Sequence, residues 1–540
     1  MGNELTEFYR DRIQKRWKKA FYSAFFLGLL IHIYKFTNLL PNHDGLYNFY
    51  SSQNMVASGR WFLSIACCLG SFFDLPWANG VLCLVFMGLT AAVIADIFDM
   101  ENPCLIVLSS GLLVSFPAIT ATMAYEFTAD GYMIAMFLAA LSVRLTRMDM
   151  LDKKHWKSMV CSGICICLAC GIYQAYVSFA FVLAVCYFMT ELLENRWEEK
   201  KYWQWTGLQI VIYGLAMAAY YLIWKMCLQI QGFAAASYQG IDQVGTVNAG
   251  VLLGGFRKIL RDTVRFFLEW NILEHGVTRY SVLNILFLLA FAVALAVSAK
   301  KSKMKWHHIL LLVLCVAAIP IGGFLWYLTS PDVFYHALML QSLCLIYIFT
   351  AVLYERWMPH RIQNLALILL MVIAFNNSVT ANIYYSYMDQ SFRKTQAVAA
   401  EVSTRIHLLD DGTVRYVALC GGLDDWKQED YFAQDKLRQL GGWKTVNKTL
   451  LSPMFLSLYT DFDLSYYRCN GLEYPVVENE SGIPAPQNWE FRFPTLSAAD
   501  ILALSQTEQV RNMPIWPARD SVQVLGDIIV VKLSEPEINS

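Results

Sequence analysis

Long apolar runs broken by short polar interruptions fill residues 20–382, and a more polar texture follows. A helix needs about 20 apolar residues to cross a bilayer. Runs of that kind predict helices near 20–40, 76–97, 104–121, 131–147, 158–172, 175–190, 205–229, 281–299, 309–328, 336–353 and 363–382, roughly eleven spans. Gly171-Ile172-Tyr173-Gln174 is read as the break between two of them, because one helix over 158–190 would be overlong. Two longer interruptions, 41–75 and 230–280, and a short one at 122–130 separate the runs. Within 230–280, Leu252, Phe256, Ile259, Leu260, Val264, Phe267 and Leu268 share one helical face, and Arg257, Lys258, Arg261 and Arg265 fall largely on the other. This pattern predicts a helix in the membrane interface, its basic face meeting lipid headgroups or an anionic substrate. From 383 onward, Val414–Cys420 reads as a buried strand, and Val522–Leu525 with Ile528–Leu533 around Gly526-Asp527 as a hairpin. A small α/β domain is therefore expected over 383–540, after a transmembrane region over 1–382.

Composition supports this division. Of 540 residues, 56% are hydrophobic and only 16% charged, with a mean hydropathy of +0.40, which indicates a polytopic α-helical membrane protein. The net charge of −1 gives no footing for nucleic-acid binding. The basic start MGNELTEFYRDRIQKRWKKA leads into an apolar run with no small-residue cleavage site, so the first helix is expected to be retained. Lysine and arginine set sidedness. With the N-terminus inside, Arg144, Arg147, Lys153, Lys154, Lys157, Arg196, Lys200, Lys201, Lys300, Lys301, Lys303, Lys305, Arg356 and Arg361 fall on inner loops. Among the short outer loops Arg60 is the exception. Loops 41–75, 122–130 and 230–280, and the C-terminal domain, are then expected outside.

Fourteen cysteines lie mostly in apolar runs. Cys161, Cys165, Cys167 and Cys170 share one run and read as small buried hydrophobes rather than zinc ligands. Cys420 and Cys469 could pair in the polar region. Asn447 and Asn479 begin matches to the N-glycosylation acceptor pattern.

Candidate chemistry gathers at the outer rim. His43 and Asp44 follow the exit of the first helix, Tyr47 lies about one helical turn beyond, and Arg60–Trp61 closes the segment. In the next outer loop Glu126 and Asp130 are four apart, so a helical turn puts both carboxylates on one side. Acids at one interface suit either general-base chemistry or capture of a divalent cation such as Mg or Mn. A sugar carried on a lipid phosphate would need such a base to deprotonate the acceptor hydroxyl, and cations such as Arg60 and the basic face around Arg257 for the leaving phosphate. Arg60 could instead anchor the interface beside Trp61. Tyr173 and Gln174 sit at an outer break, where they could bond sugar or phosphate, or simply join helices. Asp332 and His336 bracket another outer loop, and His32 and Lys35 lie near the outer end of the first helix, placed to snorkel or meet phosphate. No P-loop, GxSxG or HExxH motif is present, which leaves ATP-driven transport and soluble-type hydrolases without support.

NHDGLYNF…SGRW, the YEFTAD loop, GIYQAYVSFA and FNNSVTANIYYSYMDQSFRKTQAVAAEVSTRI together resemble the bacterial Gtr-type glucosyltransferase family, type II class, whose members modify O-antigen. The resemblance implies a GT-C-like membrane glycosyltransferase in the bacterial inner (cytoplasmic) membrane. It would transfer a sugar, by implication glucose, with inversion from a polyprenyl-phosphate donor to a surface glycan on the outer face. Carried over by position, Asp44 matches the first-loop base, and Glu126 and Asp130 the second-loop acidic motif. His43, Tyr47, Arg60, Tyr173, Gln174 and Arg257 are the expected substrate contacts. Many GT-C enzymes have an adjacent acidic pair where this chain has His43-Asp44, a departure that bears on metal use. The competing readings are a transporter or flippase of lipid-linked glycans, which predicts ionisable residues near mid-bilayer and repeat symmetry, and a non-catalytic surface-polysaccharide assembly subunit.

Overall fold

The computed structural model describes residues 14–42, 44–45, 55–71, 73–151, 155–236, 248–268, 278–330, 332–412, 414, 416–421, 455–456, 459–460 and 498–535. His43, Tyr47, Cys469, Asn447 and Asn479 lie outside them. The membrane region is built from α1 (Lys15–Thr37), α2 (Pro76–Ile97), α3 (Pro103–Ser115), α4 (Pro117–Met123), α5 (Glu126–Leu145), α6 (Trp156–Ile172) and α7 (Ala175–Glu194). It continues through α8 (Glu199–Gln231), α9 (Ala249–Leu268), α10 (Arg279–Lys301), α11 (Trp306–Gly323), α12 (Cys344–Trp357) and α13 (His360–Leu409).

Among the described residues eight helices are long and apolar enough to cross a membrane, and nine if α3 and α4 form one bent span. The chain is a multi-pass membrane protein. The count of roughly eleven also includes α6, with 17 residues, and α12, with 14. Residues 344–354 of α12 are all buried, so this helix runs through the bundle interior and is apolar all round. Ahead of it, where the apolar run predicts helix from 336, the chain takes tight turns at Ala337–Met339 and Gln341–Leu343. The side chain of Gln341 is spent there on the hydroxyl of Tyr176, 3.2 Å away.

Proline places several helix ends. Pro76, Pro103 and Pro117 open α2, α3 and α4, where a missing N–H costs nothing. Pro117 holds Phe116 extended, and α3 and α4 meet at 49°. Tyr173 is extended as well, which separates α6 from α7 at the expected break.

Two expectations for α1 are corrected. Lys35 and His32 neither snorkel nor face headgroups, because both are buried inside the bundle. Nδ1 of His32 lies 2.7 Å from the hydroxyl of Tyr385 and Nε2 2.9 Å from the carbonyl of Val114, tying α1 to α13 and α3.

The 50 residues of α13 span about 75 Å at 1.5 Å per residue, straight through the expected domain junction at 382/383. Its far end, Phe392, Ala399, Val402 and Ile406, forms a core with Val417, Phe455, Leu456, Val522, Ile529 and Val531. Those strands are β1 (Tyr416–Cys420), β2 (Val522–Leu525) and β3 (Ile528–Lys532), in the order β1-β3-β2. β1 runs parallel to β3, and β2 and β3 form the predicted hairpin with Gly526 at a φ of +66°.

Candidate functional site

The part of the first loop that carries Arg60 is docked by a set of specific bonds. Phe62 N–H donates to the carbonyl of Gly171 at 2.8 Å. The amide of Gln174 donates to the carbonyl of Ser58 at 2.8 Å and to the hydroxyl of Tyr220 at 3.0 Å. Tyr220 donates in turn to Gly59 and Trp224 to Val56, both carbonyls. Gly171 is required here: a Cβ would lie 2.7 Å from the Trp61 ring, which closes over it. Gln174 therefore clamps the loop through its amide, and it positions Arg60 from a distance.

Arg60 itself is laid across an aromatic floor. Its guanidinium carbon stands 4.7 Å from the centroid of Tyr173, and Nη1 reaches the hydroxyl of Tyr132 at 3.4 Å. Tyr132 and Tyr173 stack at 4.9 Å. A planar cation on a π-face keeps its N–H fork directed along the ring plane, the arrangement that suits a phosphate oxygen. His336 belongs to the same group. Burial and the neighbouring Arg60 push its imidazole down to about 4, against the opposing pull of Asp44.

The carboxylates lie next to this floor. Lys35, from α1, is buried and pairs with Glu126 at the start of α5, and it also donates to the carbonyl of Leu40 at 3.0 Å. Asp74, just ahead of α2, is buried in the same group. Its carboxylate occupies the space where Gly45 would carry a Cβ, and it accepts the backbone N–H of Phe127. Asp44 is half-buried, one residue before that contact, with its own N–H held by the side chain of Asn42 at 3.1 Å. Burial, then repulsion from Glu126 and Asp44 against the pull of Lys35, pushes Asp74 up to about 7. Sequence reasoning missed Asp74. The available signal was its position: the last acid of the 41–75 interruption, two residues before the proline that opens α2, and so on the same rim as Asp44.

Asp130 lies one turn further into α5 and serves a different neighbour. Oδ1 accepts the N–H of Gly131 at 2.9 Å, and Oδ2 faces Gly70, where a Cβ would meet it at 2.8 Å. Asn79 joins the two acids of α5, its amide donating to the carbonyl of Glu126 at 3.1 Å while its oxygen faces the same Gly70. Glu126 and Asp130 thus share one side of the helix, with Glu126 directed at Lys35 and Asp130 at the loop turn around Cys67. Among the described residues no three of His, Cys, Asp or Glu converge to hold a metal ion.

Arg257 is exposed on α9. The buried side of that helix is Gly255, Ile259, Asp262, Phe266 and Phe267, with Asp262 accepting from the hydroxyl of Tyr327 at 2.5 Å. Leu252, Leu253, Phe256 and Leu260 are exposed, so α9 keeps an apolar surface beside its exposed arginines. Asp332 is exposed as well.

A cavity of about 720 Å³ opens at the opposite end of the bundle, between Asp99, Glu194, Arg196, Glu355 and Arg356. Two of its acids are matched, Asp99 by Arg147 and Glu194 by Arg356 and Arg196, while burial and the neighbouring Glu101 push the Glu355 carboxyl up. The rim around Asp44 differs in burying two acids, Glu126 and Asp74, beside one lysine, Lys35.

Comparison with known sequences gives one family match. The family described as glucosyl transferase GtrII matches residues 33–354, which runs from the end of α1 through most of α12. No curated protein and no solved structure matches the chain.

Proposed function

The chain belongs to the glucosyl transferase GtrII family, and from that premise we propose that it moves glucose from a polyprenyl-phosphate donor to a surface glycan, at the rim that carries Asp44. In this reading the acceptor hydroxyl attacks the anomeric carbon from the side opposite the phosphate. The new C–O bond forms as the bond to the phosphate oxygen breaks, and configuration inverts. The hydroxyl proton passes to Asp44, a step that contributes roughly 10²–10⁴-fold when base and hydroxyl are within hydrogen-bond reach. The departing lipid phosphate keeps the bonding electron pair, and Arg60 with the hydroxyl of Tyr132 meets its negative charge. Glu126, Asp130, Tyr173 and Gln174 hold the walls of this site, with His43 and Tyr47 adjacent to the base in sequence and Arg257 on the interfacial helix as an approach surface for the anionic donor. The rim faces the outside of the bacterial inner membrane in this reading, as the lysine and arginine distribution implies, and residues 383–540 form an outer domain.

The observation that carries the reading is that Asp44 acts electrostatically on His336, Asp74 and Tyr132, and that Arg60, which acts on His336 and Tyr132 as well, stacks on Tyr173. A base and a phosphate-binding cation then share one electrostatic neighbourhood. The test is incubation of purified protein with polyprenyl-phosphate glucose, and separately with a nucleotide-activated glucose, while assaying release of the carrier. Release of polyprenyl phosphate is expected. Turnover of the nucleotide sugar alone would overturn the donor assignment.

A further inference from the structure

Asp74 has no place in the steps above, yet the fold buries it beside the base. It is 6% exposed, and Oδ1 has no hydrogen-bond partner among the described residues. Leaving a carboxylate oxygen unpaired in the interior is costly unless the group has a use. Three observations indicate one. The N-cap of α5, Tyr125, supplies no side-chain bond to the helix start, and Asp74 accepts the N–H of Phe127 there instead. The same carboxylate fills the space beside Gly45, so the backbone that carries Asp44 rests directly on it. Lastly, one lysine, Lys35, serves two buried acids, and it bonds to Glu126 rather than to Asp74. With both acids ionised, the group carries one negative charge more than Lys35 can offset.

We propose that Asp74 is a positioning residue for the transfer reaction, seating the Asp44–Gly45 turn on the start of α5 and, through its charge, strengthening Asp44 as a proton acceptor. This rests on the assignment of Asp44 as base. Like charges held close favour proton uptake by either partner. Among the described residues, the groups that act on Asp74 include Lys35 from α1, Asp44 from the first loop, Glu126 from α5 and Tyr459, and those on which Asp44 acts include Asp74, Tyr132 and His336.

The sign of the pH effect follows. Asp74 is raised from 3.8 to about 7, so the folded protein binds the extra proton between those values. Stability contributed by this group is then present at acid pH and declines as pH rises from about 4 to about 7. Activity should run the other way, falling as pH drops through about 7 and Asp74 loses its charge. A group that served stability alone would not oppose the two curves.

Asp74→Asn tests this directly, because the amide oxygen can still accept the N–H of Phe127 while the charge is gone. The expected protein melts no lower than wild type. Its kcat should fall tenfold or more with the KM for polyprenyl-phosphate glucose within about twofold, and the acid limb of its kcat–pH profile should move to lower pH. Asp74→Glu should recover part of kcat and return the limb toward pH 7. Asp74→Asn with wild-type kcat and an unmoved limb overturns the inference, and so does an Asp74→Asn protein that no longer folds. Asp44→Asn is measured in parallel: if it retains activity, the base assignment fails instead, and the two failures are distinguishable.

Discussion

At one end of α1, Arg16 reaches Asp96 at 2.7 Å and Asp99 at 3.1 Å; at the other end Lys35 reaches Glu126. Two helix ends, some 30 Å apart at 1.5 Å per residue, use charge in opposite ways. Around Arg16 the acids are matched: Arg144 also binds Asp96, Arg147 binds Asp99 at 2.9 Å and Asp149 at 3.2 Å, and Arg356 binds Glu194. Around Lys35 the acids Asp44, Asp74 and Glu126 act on one another, and nearby Arg60 lies over Tyr173 with Nη1 at the hydroxyl of Tyr132. A matched network ties helix ends together. The other end buries Glu126 and Asp74 beside the single lysine Lys35, at a cost in stability that a purely structural cluster would not carry.

The difference can be broken or sharpened by mutation at either end. The largest effect is expected from Asp44→Asn, which should lower the transfer rate by roughly 10²–10⁴-fold while leaving membrane insertion and melting temperature unchanged. Lys35→Met should leave Glu126 and Asp74 buried without their cation and destabilise the fold by about 3–5 kcal/mol. Combining it with Glu126→Gln should restore much of that in a thermal melt. Arg60→Lys keeps the charge but loses the planar fork over Tyr173, and kcat/KM for the lipid-phosphate donor should fall by about tenfold. At the matched end, Asp99→Asn should cost on the order of 1 kcal/mol and leave kcat and KM as they are. Burial opposes it, but Arg147 and Arg16 hold the Asp99 carboxyl below its ordinary value. Its stabilisation is present above about pH 4 and lost as pH falls further, opposite in sign to Asp74.

Much of the fold was legible because its signals are local. Apolar runs marked the helices, Gly171–Gln174 marked a break, and Gly526-Asp527 marked the hairpin that the structure contains. The family was legible from short motifs at the right spacing. Helix starts were less so: α5 begins at Glu126 rather than near 131, since polar residues at a helix start look like loop when read by hydropathy. The site was legible only in part. Periodicity places Glu126 and Asp130 on one side of a helix, but not which neighbour each meets. That depends on Lys35 and Cys67, 91 and 63 positions away in the chain. Burial of Lys35 runs against what a lysine near a helix end suggests, and it follows from a partner that no local pattern reveals. Asp74 was hidden for the same reason, because its neighbours Gly45 and Phe127 lie 29 and 53 positions away in the chain.

The central claim is that the chemistry occurs at the Asp44 rim and not in the cavity at the opposite end of the bundle. Imaging the protein with bound polyprenyl-phosphate glucose at near-atomic resolution tests it most directly. The account predicts the phosphate beside Arg60 and the anomeric carbon facing Asp44, with space of about 3–3.5 Å for an attacking hydroxyl between them. Donor density in the 720 Å³ cavity between Asp99, Glu194 and Arg356, with the Asp44 rim empty, would contradict it.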